Sequence, residues 1–258
     1  VEGLKQRDQM RRSLEVAMEV QQNLLPHKNP QIEGLDIAGI SVYCDETGGD
    51  YYDFIEFDNA QDSRLAVVIG DVSGHGISSA LLMASTRAFL RQRSALPGTA
   101  AEIVSDVNTQ FSRDVAESGS FMTLLYMIID QAERSLRWVR AGHDPAVLYD
   151  PELNVLTELK GPGIALGVDE DLQFEENSRS ELRAGQIILL GTDGIWEARN
   201  PQGEMFGKEP IYALLREHKD QDSTRIVEKI LEALHEFQQG ADVEDDVTLI
   251  VIKFTPDF

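Results

Sequence analysis

Aspartate recurs in this chain at the ends of apolar runs. The run "LAVVIG" leads into Asp71 and "DVSGHG", and "QIILLGT" leads into Asp193-Gly194. Asp245 and Asp246 immediately precede "VTLIVIKF", and Asp50 stands between Gly48-Gly49 and the aromatic "YYDF". Val, Ile, Tyr and Phe favour strands while Asp and Gly disfavour them, so each point marks where a strand meets a turn. Side chains placed there can converge above the edge of a sheet. A single Asp-Gly pair is ordinarily just a turn. Several such points, two of them after strongly apolar strands, suggest a shared site. With no paired cysteines and no HExxH, oxygen-only ligands of this kind suit Mg²⁺ or Mn²⁺ rather than zinc. Crowded carboxylates raise one another's pKa, a cost that bound divalent cations remove.

Strands are expected at 35–43, 51–57 and 64–70, and at "FMTLLYMIID", "LRWVRAG", "AVLYD", "QIILLGTDG" and "VTLIVIKF". A helix is expected over "HGISSALLMASTRAFLRQRSA", stopped by Pro97-Gly98. A second runs from an N-cap at Thr99 to about Val115, and two more cover 208–218 and 223–238. Strands that arrive in runs, rather than alternating strictly with helices, favour an α+β fold over a doubly wound sheet. The economical division is an N-terminal helix within residues 1–28 and one domain over 29–258.

That first helix has no Gly or Pro from residue 4 to 25 and ends at Pro26. Met10, Leu14, Ala17, Gln21 and Leu24 form a stripe at three-and-four spacing. Such a stripe either docks on its own domain or pairs with a second copy as a short coiled coil. The chain starts without Met, and Lys5, Arg7, Arg11 and Arg12 precede the stripe. This reads as a helix entering from an upstream module, with the chain a piece of a longer regulator.

A net charge of −22, from 45 acids against 23 bases, argues against nucleic-acid binding, because a phosphate backbone would be repelled. No apolar run reaches membrane-spanning length. Cys44 is the only cysteine, so no internal disulfide forms. It reads as a small buried hydrophobe in a cytoplasmic protein.

Eight motifs in order carry a resemblance: "QQNLLP", "GGDYYDF", "DVSGHGISSALLMA", "FMTLLYMIID", "AGHDPAVLY", "GIALGV", "GTDGIWEARNPQGEMFG" and "DDVTLIVIK". Together, from about residue 20 to 254, the chain resembles the bacterial PP2C-type serine/threonine phosphatases of the SpoIIE/RsbU group. The resemblance implies an α-β-β-α sandwich, two antiparallel sheets flanked by helices. It implies hydrolysis of phosphoserine or phosphothreonine on a STAS-type anti-sigma-factor antagonist, with two Mn²⁺ or Mg²⁺ ions, beneath an upstream sensor or receiver domain, while the stripe on the first helix points to a homodimer. Carried over by motif, Asp50 is the first acidic residue of the site, Asp71 the bridging aspartate and the Val72 carbonyl a further ligand. Asp193 is the aspartate of the "TDG" motif, and Asp245 is the favoured last ligand, with Asp246 as the alternative. His75 is either the acid for the leaving alkoxide or a loop-structuring residue, the latter preferred. His143 reads as a turn or core histidine, and Tyr51, Tyr52 and Trp196 as packing. Thr192 and Thr248 either orient aspartates or are plain strand residues. The family's usual acidic residue is Gln186 here, at a turn, and nothing in "ISVYCDETGG" matches the phosphate-binding arginine of eukaryotic relatives. The rivals are a catalytically dead binding module and a small-molecule phosphohydrolase. The first predicts a missing aspartate among the four motif positions, and none is missing.

Overall fold

The last strand, β10 (Val247–Phe254), shows how the molecule is layered. Val247, Leu249 and Val251 join one buried cluster, while Ile250, Ile252 and Phe254 join another. Successive strand residues point to opposite faces, so both faces of β10 are covered. The same alternation holds along β9 (Ile187–Gly191), with Ile187 and Leu189 on one side and Ile188 and Leu190 on the other. A strand buried on both faces has no polar alternation, which is why these segments read as unbroken apolar runs.

The computed structural model describes residues 15–44, 47–57, 63–241 and 244–258. Two five-stranded sheets form, and the paired strands within each run antiparallel. The first has the order β1 (Leu35–Val42), β10, β9, β6 (Ala146–Asp150) and β7 (Val155–Leu159). The second runs β2 (Asp50–Glu56), β3 (Arg64–Val72), β4 (Met122–Asp130), β5 (Ser135–Ala141) and β8 (Asn177–Arg179). Helices α2 (Ile77–Ser94) and α3 (Ala100–Val115) pack on each other and on the second sheet. A single turn, α4 (Asp193–Trp196), follows β9. Helices α5 (Glu209–Glu217) and α6 (Ser223–Gln238) pack together, and α6 covers β1 and β10. The result is the expected α-β-β-α sandwich. Among the described residues no helix is long and apolar enough to cross a membrane.

Local chemistry accounts for the boundaries. Thr99 caps α3 in a reciprocal capping box with Glu102, and Asp222 caps α6 by accepting from the Arg225 amide. Strands β7 and β8 and the turn α4 were not expected from sequence. The N-terminal helix, α1, is helical over 15–22. Gln21 is buried against the domain, Ala17 and Leu24 are half-buried, and Val16 and Val20 are exposed. Gln21 thus contacts its own domain, at Gly48. Met10 and Leu14, also assigned to that stripe, lie outside the described residues.

Candidate metal centre

Asp50 opens β2 and pairs across the ladder with Asp71 of β3, which in turn pairs with Thr123 of β4. Directly opposed residues of antiparallel strands project from the same face. Asp50, Asp71 and Thr123 therefore form a row facing the other sheet. That sheet answers at one end of the row. Thr192 Oγ1 and Thr248 Oγ1 both donate to Asp50 Oδ2, at 2.8 and 2.6 Å. The Thr192 hydroxyl accepts from the Thr248 amide at 3.0 Å, and the Thr248 hydroxyl is shared with Ser41 Oγ at 2.8 Å. Of the two readings open for these threonines, orienting an aspartate is the one observed.

The glycines of "GGDYYDF" are explained by crowding. A Cβ on Gly49 would stand 2.6 Å from the Val72 carbonyl oxygen and 2.9 Å from Asp71 Oδ1. Those two oxygens are therefore turned toward the same small space. A Cβ on Gly48 would stand 2.0 Å from Asp246 Oδ2. Asp246 is buried, accepting from the Cys44 amide through Oδ1 at 2.9 Å and from the Gly49 amide through Oδ2 at 3.0 Å. Both its oxygens are thus engaged in ordering the loop before β2. Asp245 is exposed, with Oδ1 accepting from the Asp246 amide at 2.8 Å, and it borders a cleft shared with Gly194, Glu197, Arg199 and Glu244. Asp193, also exposed, begins α4 directly after β9.

These carboxylates feel one another. Burial, then Asp71, pushes Asp50 well above the ordinary carboxylate range, against the opposing pull of the two threonine hydroxyls. Burial, then Asp193, Asp245 and Asp246, pushes Asp71 up to about 8. Although Asp193 and Asp245 are exposed as residues, neighbouring atoms partly desolvate their carboxyls, and this, with Asp245 for the first and Asp246 for the second, raises both. Among the described residues, no three acidic, histidine or cysteine side chains already converge on one point. The donor set is nonetheless that of a hard divalent cation: carboxylates and one backbone carbonyl, held where negative charge is disfavoured. His75 is exposed in the loop between β3 and α2, and His143 is buried between the sheets.

Two partnerships were missed from sequence. Gln21 Nε2 donates to the Gly48 carbonyl at 2.6 Å and its Oε1 accepts from the Gly48 amide at 3.2 Å, clamping α1 to the glycine loop. Asp53, fully buried on β2, is gripped by Arg91 of α2 through two hydrogen bonds of 2.6 Å and by the Tyr51 hydroxyl at 2.9 Å. A polar residue inside an apolar stripe, and an acid inside an aromatic strand, were the available signals.

A family model, Stage II sporulation protein E (SpoIIE), matches residues 61–255. Phosphoserine phosphatase RsbU of Bacillus subtilis is 29% identical over 95% of this chain and 71% of its own length. Phosphoserine phosphatase RsbP of the same organism is 30% identical over 94% of this chain, which spans 58% of that relative. Among solved structures, the SiaA-PP2C domain of Pseudomonas aeruginosa superposes with a TM-score of 0.80 at 24% identity, covering 96% of this chain and 98% of that one.

Proposed function

This chain belongs to the SpoIIE family, a group of PP2C-type serine/threonine phosphatases, and we propose that it removes phosphate from phosphoserine or phosphothreonine on a STAS-type anti-sigma-factor antagonist. The observation that carries this reading is the Asp50–Asp71 pair across β2 and β3, with the Val72 carbonyl beside it and Asp193 and Asp245 raised in pKa by the same cluster. Asp50, Asp71, Val72 through its carbonyl, Asp193 and Asp245 are the proposed ligands of two Mn²⁺ or Mg²⁺ ions. Asp246, occupied by backbone amides, orders the loop instead. Bound divalent cations supply Lewis acidity toward phosphoryl oxygens and lower the pKa of water. Thr192 and Thr248 hold one oxygen of Asp50, which leaves the other to orient a water for in-line attack on phosphorus. No covalent phosphoenzyme is needed, so Cys44 takes no part. His75 keeps its assignment to the loop ahead of α2.

The protein in this reading is cytoplasmic and is the output domain of a longer regulator, with α1 as the connection to a sensor or receiver domain. Support comes from the Gln21 clamp on Gly48, which ties the helix to the residue two before Asp50. A homodimer through α1 would use the exposed Val16 and Val20 rather than Gln21. Light scattering over a concentration series checks it, and a constant monomer mass removes it.

The deciding experiment is hydrolysis of p-nitrophenyl phosphate and of a phosphorylated STAS protein against Mn²⁺ concentration, with wild type beside Asp193→Asn. Metal-dependent turnover that vanishes in the variant is expected. Turnover insensitive to Mn²⁺ or to Asp193 would overturn the reading.

A further inference from the structure

We propose that His143 is a positioning residue that sets the separation of Asp71 and Asp193 across the two sheets, an inference resting on the metal-phosphatase reading above. It lies in the crossing from β5 to β6 and is only 4% exposed. Both ring nitrogens are engaged. Nδ1 lies 2.9 Å from Thr123 Oγ1 and Nε2 lies 3.2 Å from the Gly191 carbonyl oxygen. A carbonyl only accepts, so Nε2 carries the hydrogen. Burial holds the imidazole pKa down at about 4, so the ring is neutral and Nδ1 accepts from the Thr123 hydroxyl.

The partners give this bridge its meaning. Thr123 is the third member of the Asp50–Asp71–Thr123 row on one sheet. Gly191 ends β9 on the other and is followed directly by Thr192 and Asp193. Asp50 is tied across the gap by Thr192 and Thr248, and Thr123 is tied across it by His143. Asp71 sits between these two ties. The imidazole is a rigid spacer, and its backbone is itself held, since Arg140 Nη1 donates to the His143 carbonyl at 2.7 Å. An apolar ring of similar size would fill the same volume, but it would leave the Thr123 hydroxyl and the Gly191 carbonyl without this bridge. The strand ends carrying Asp71 and Asp193 would then be free to shift.

The test measures Mn²⁺ affinity by calorimetry for wild type, His143→Phe, His143→Gln and Thr123→Val, with thermal unfolding in chelator run in parallel. His143→Phe should weaken Mn²⁺ binding by ~10–100-fold, the range typical of outer-shell partners. His143→Gln, whose amide both donates and accepts, should recover part of that loss. A His143→Phe protein less stable in chelator but with wild-type Mn²⁺ affinity would make the residue merely structural and overturn the proposal. Should His143→Phe not fold, Thr123→Val decides in its place: unchanged affinity overturns the proposal and weakened affinity supports it. A wild type that binds no Mn²⁺ would instead bring down the metal-phosphatase reading beneath it.

Discussion

Asp50 and Asp53 stand three residues apart on β2, and they are 1% and 0% exposed. The odd offset turns them to opposite faces of the strand. Asp53 meets α2, where the Arg91 guanidinium and the Tyr51 hydroxyl satisfy it within the fold. Asp50 meets the other sheet, where two threonine hydroxyls hold one oxygen and the neighbouring groups are further carboxylates. One strand thus carries two buried acids with opposite solutions. The paired acid joins a helix to a sheet, whereas the crowded one sits at the strand end where its charge is disfavoured and a cation would offset it.

Paired substitutions test this contrast most severely. Asp50→Asn should lower Mn²⁺-dependent turnover by more than ~100-fold, beyond the range of outer-shell changes. The same change should leave the chelated protein as stable as wild type or more so, since it removes a carboxyl whose charge is disfavoured there by burial and by Asp71. Asp53→Asn should do the reverse, costing stability while sparing turnover per folded molecule. Breaking a fully buried ion pair costs about 3–5 kcal/mol, and the 43% exposure of the Arg91 side chain puts this pair below that range. Urea unfolding in chelator and steady-state turnover read the two effects separately. If both variants lose stability and activity together, the contrast fails.

A second prediction follows from the direction in which the cluster titrates. Asp71 is raised from 3.8 to about 8 in the folded state. Its contribution to stability is therefore fully present below pH about 4 and is lost as pH rises through about 8. Asp50, Asp193 and Asp245 are raised as well and act in the same direction. Chelated protein should accordingly unfold at lower urea at pH 8 than at pH 5.5, and saturating Mn²⁺ should shrink or invert the difference. A flat profile in chelator would mean that the carboxylates do not repel one another.

The strand-end aspartates could be read from sequence because both halves of each signal are local: an apolar run, then turn chemistry at the next residue. The fold class followed from the order of such segments. What could not be read depends on residues that meet only after the sheets pack. Thr248 reaches Asp50 across 198 positions, Arg91 reaches Asp53 across 38 and Gln21 reaches Gly48 across 27. The different surroundings of Asp245 and Asp246 are of the same kind, since adjacent aspartates look alike until the Cys44 and Gly49 amides are seen on one of them. Strand β7 was missed because "VLTEL" is only partly buried at a sheet edge, and β8 because it is three residues long.

The smallest expected effect sharpens the contrast at one end of β2 alone. Gln21→Ala removes two hydrogen bonds to the backbone of Gly48, each ordinarily worth about 0.5–1.5 kcal/mol. Gly48 lies two residues before Asp50, which pairs with Asp71, while Asp53 keeps its grip on α2. The variant should therefore raise the Mn²⁺ concentration for half-maximal turnover by a few-fold, with little loss of global stability. Native-state hydrogen exchange should quicken at the Gly48 to Asp50 amides and stay unchanged at Phe54, whose amide donates to Asp53 Oδ1 at 2.9 Å. Gln22→Ala, at an exposed neighbouring position, serves as the control. Equal quickening at both ends of the strand would mean that α1 steadies β2 as a whole. Quickening confined to the glycine loop would mean that the helix acts on the crowded acid and not on the paired one, as the proposed role of α1 as a connection to the site requires.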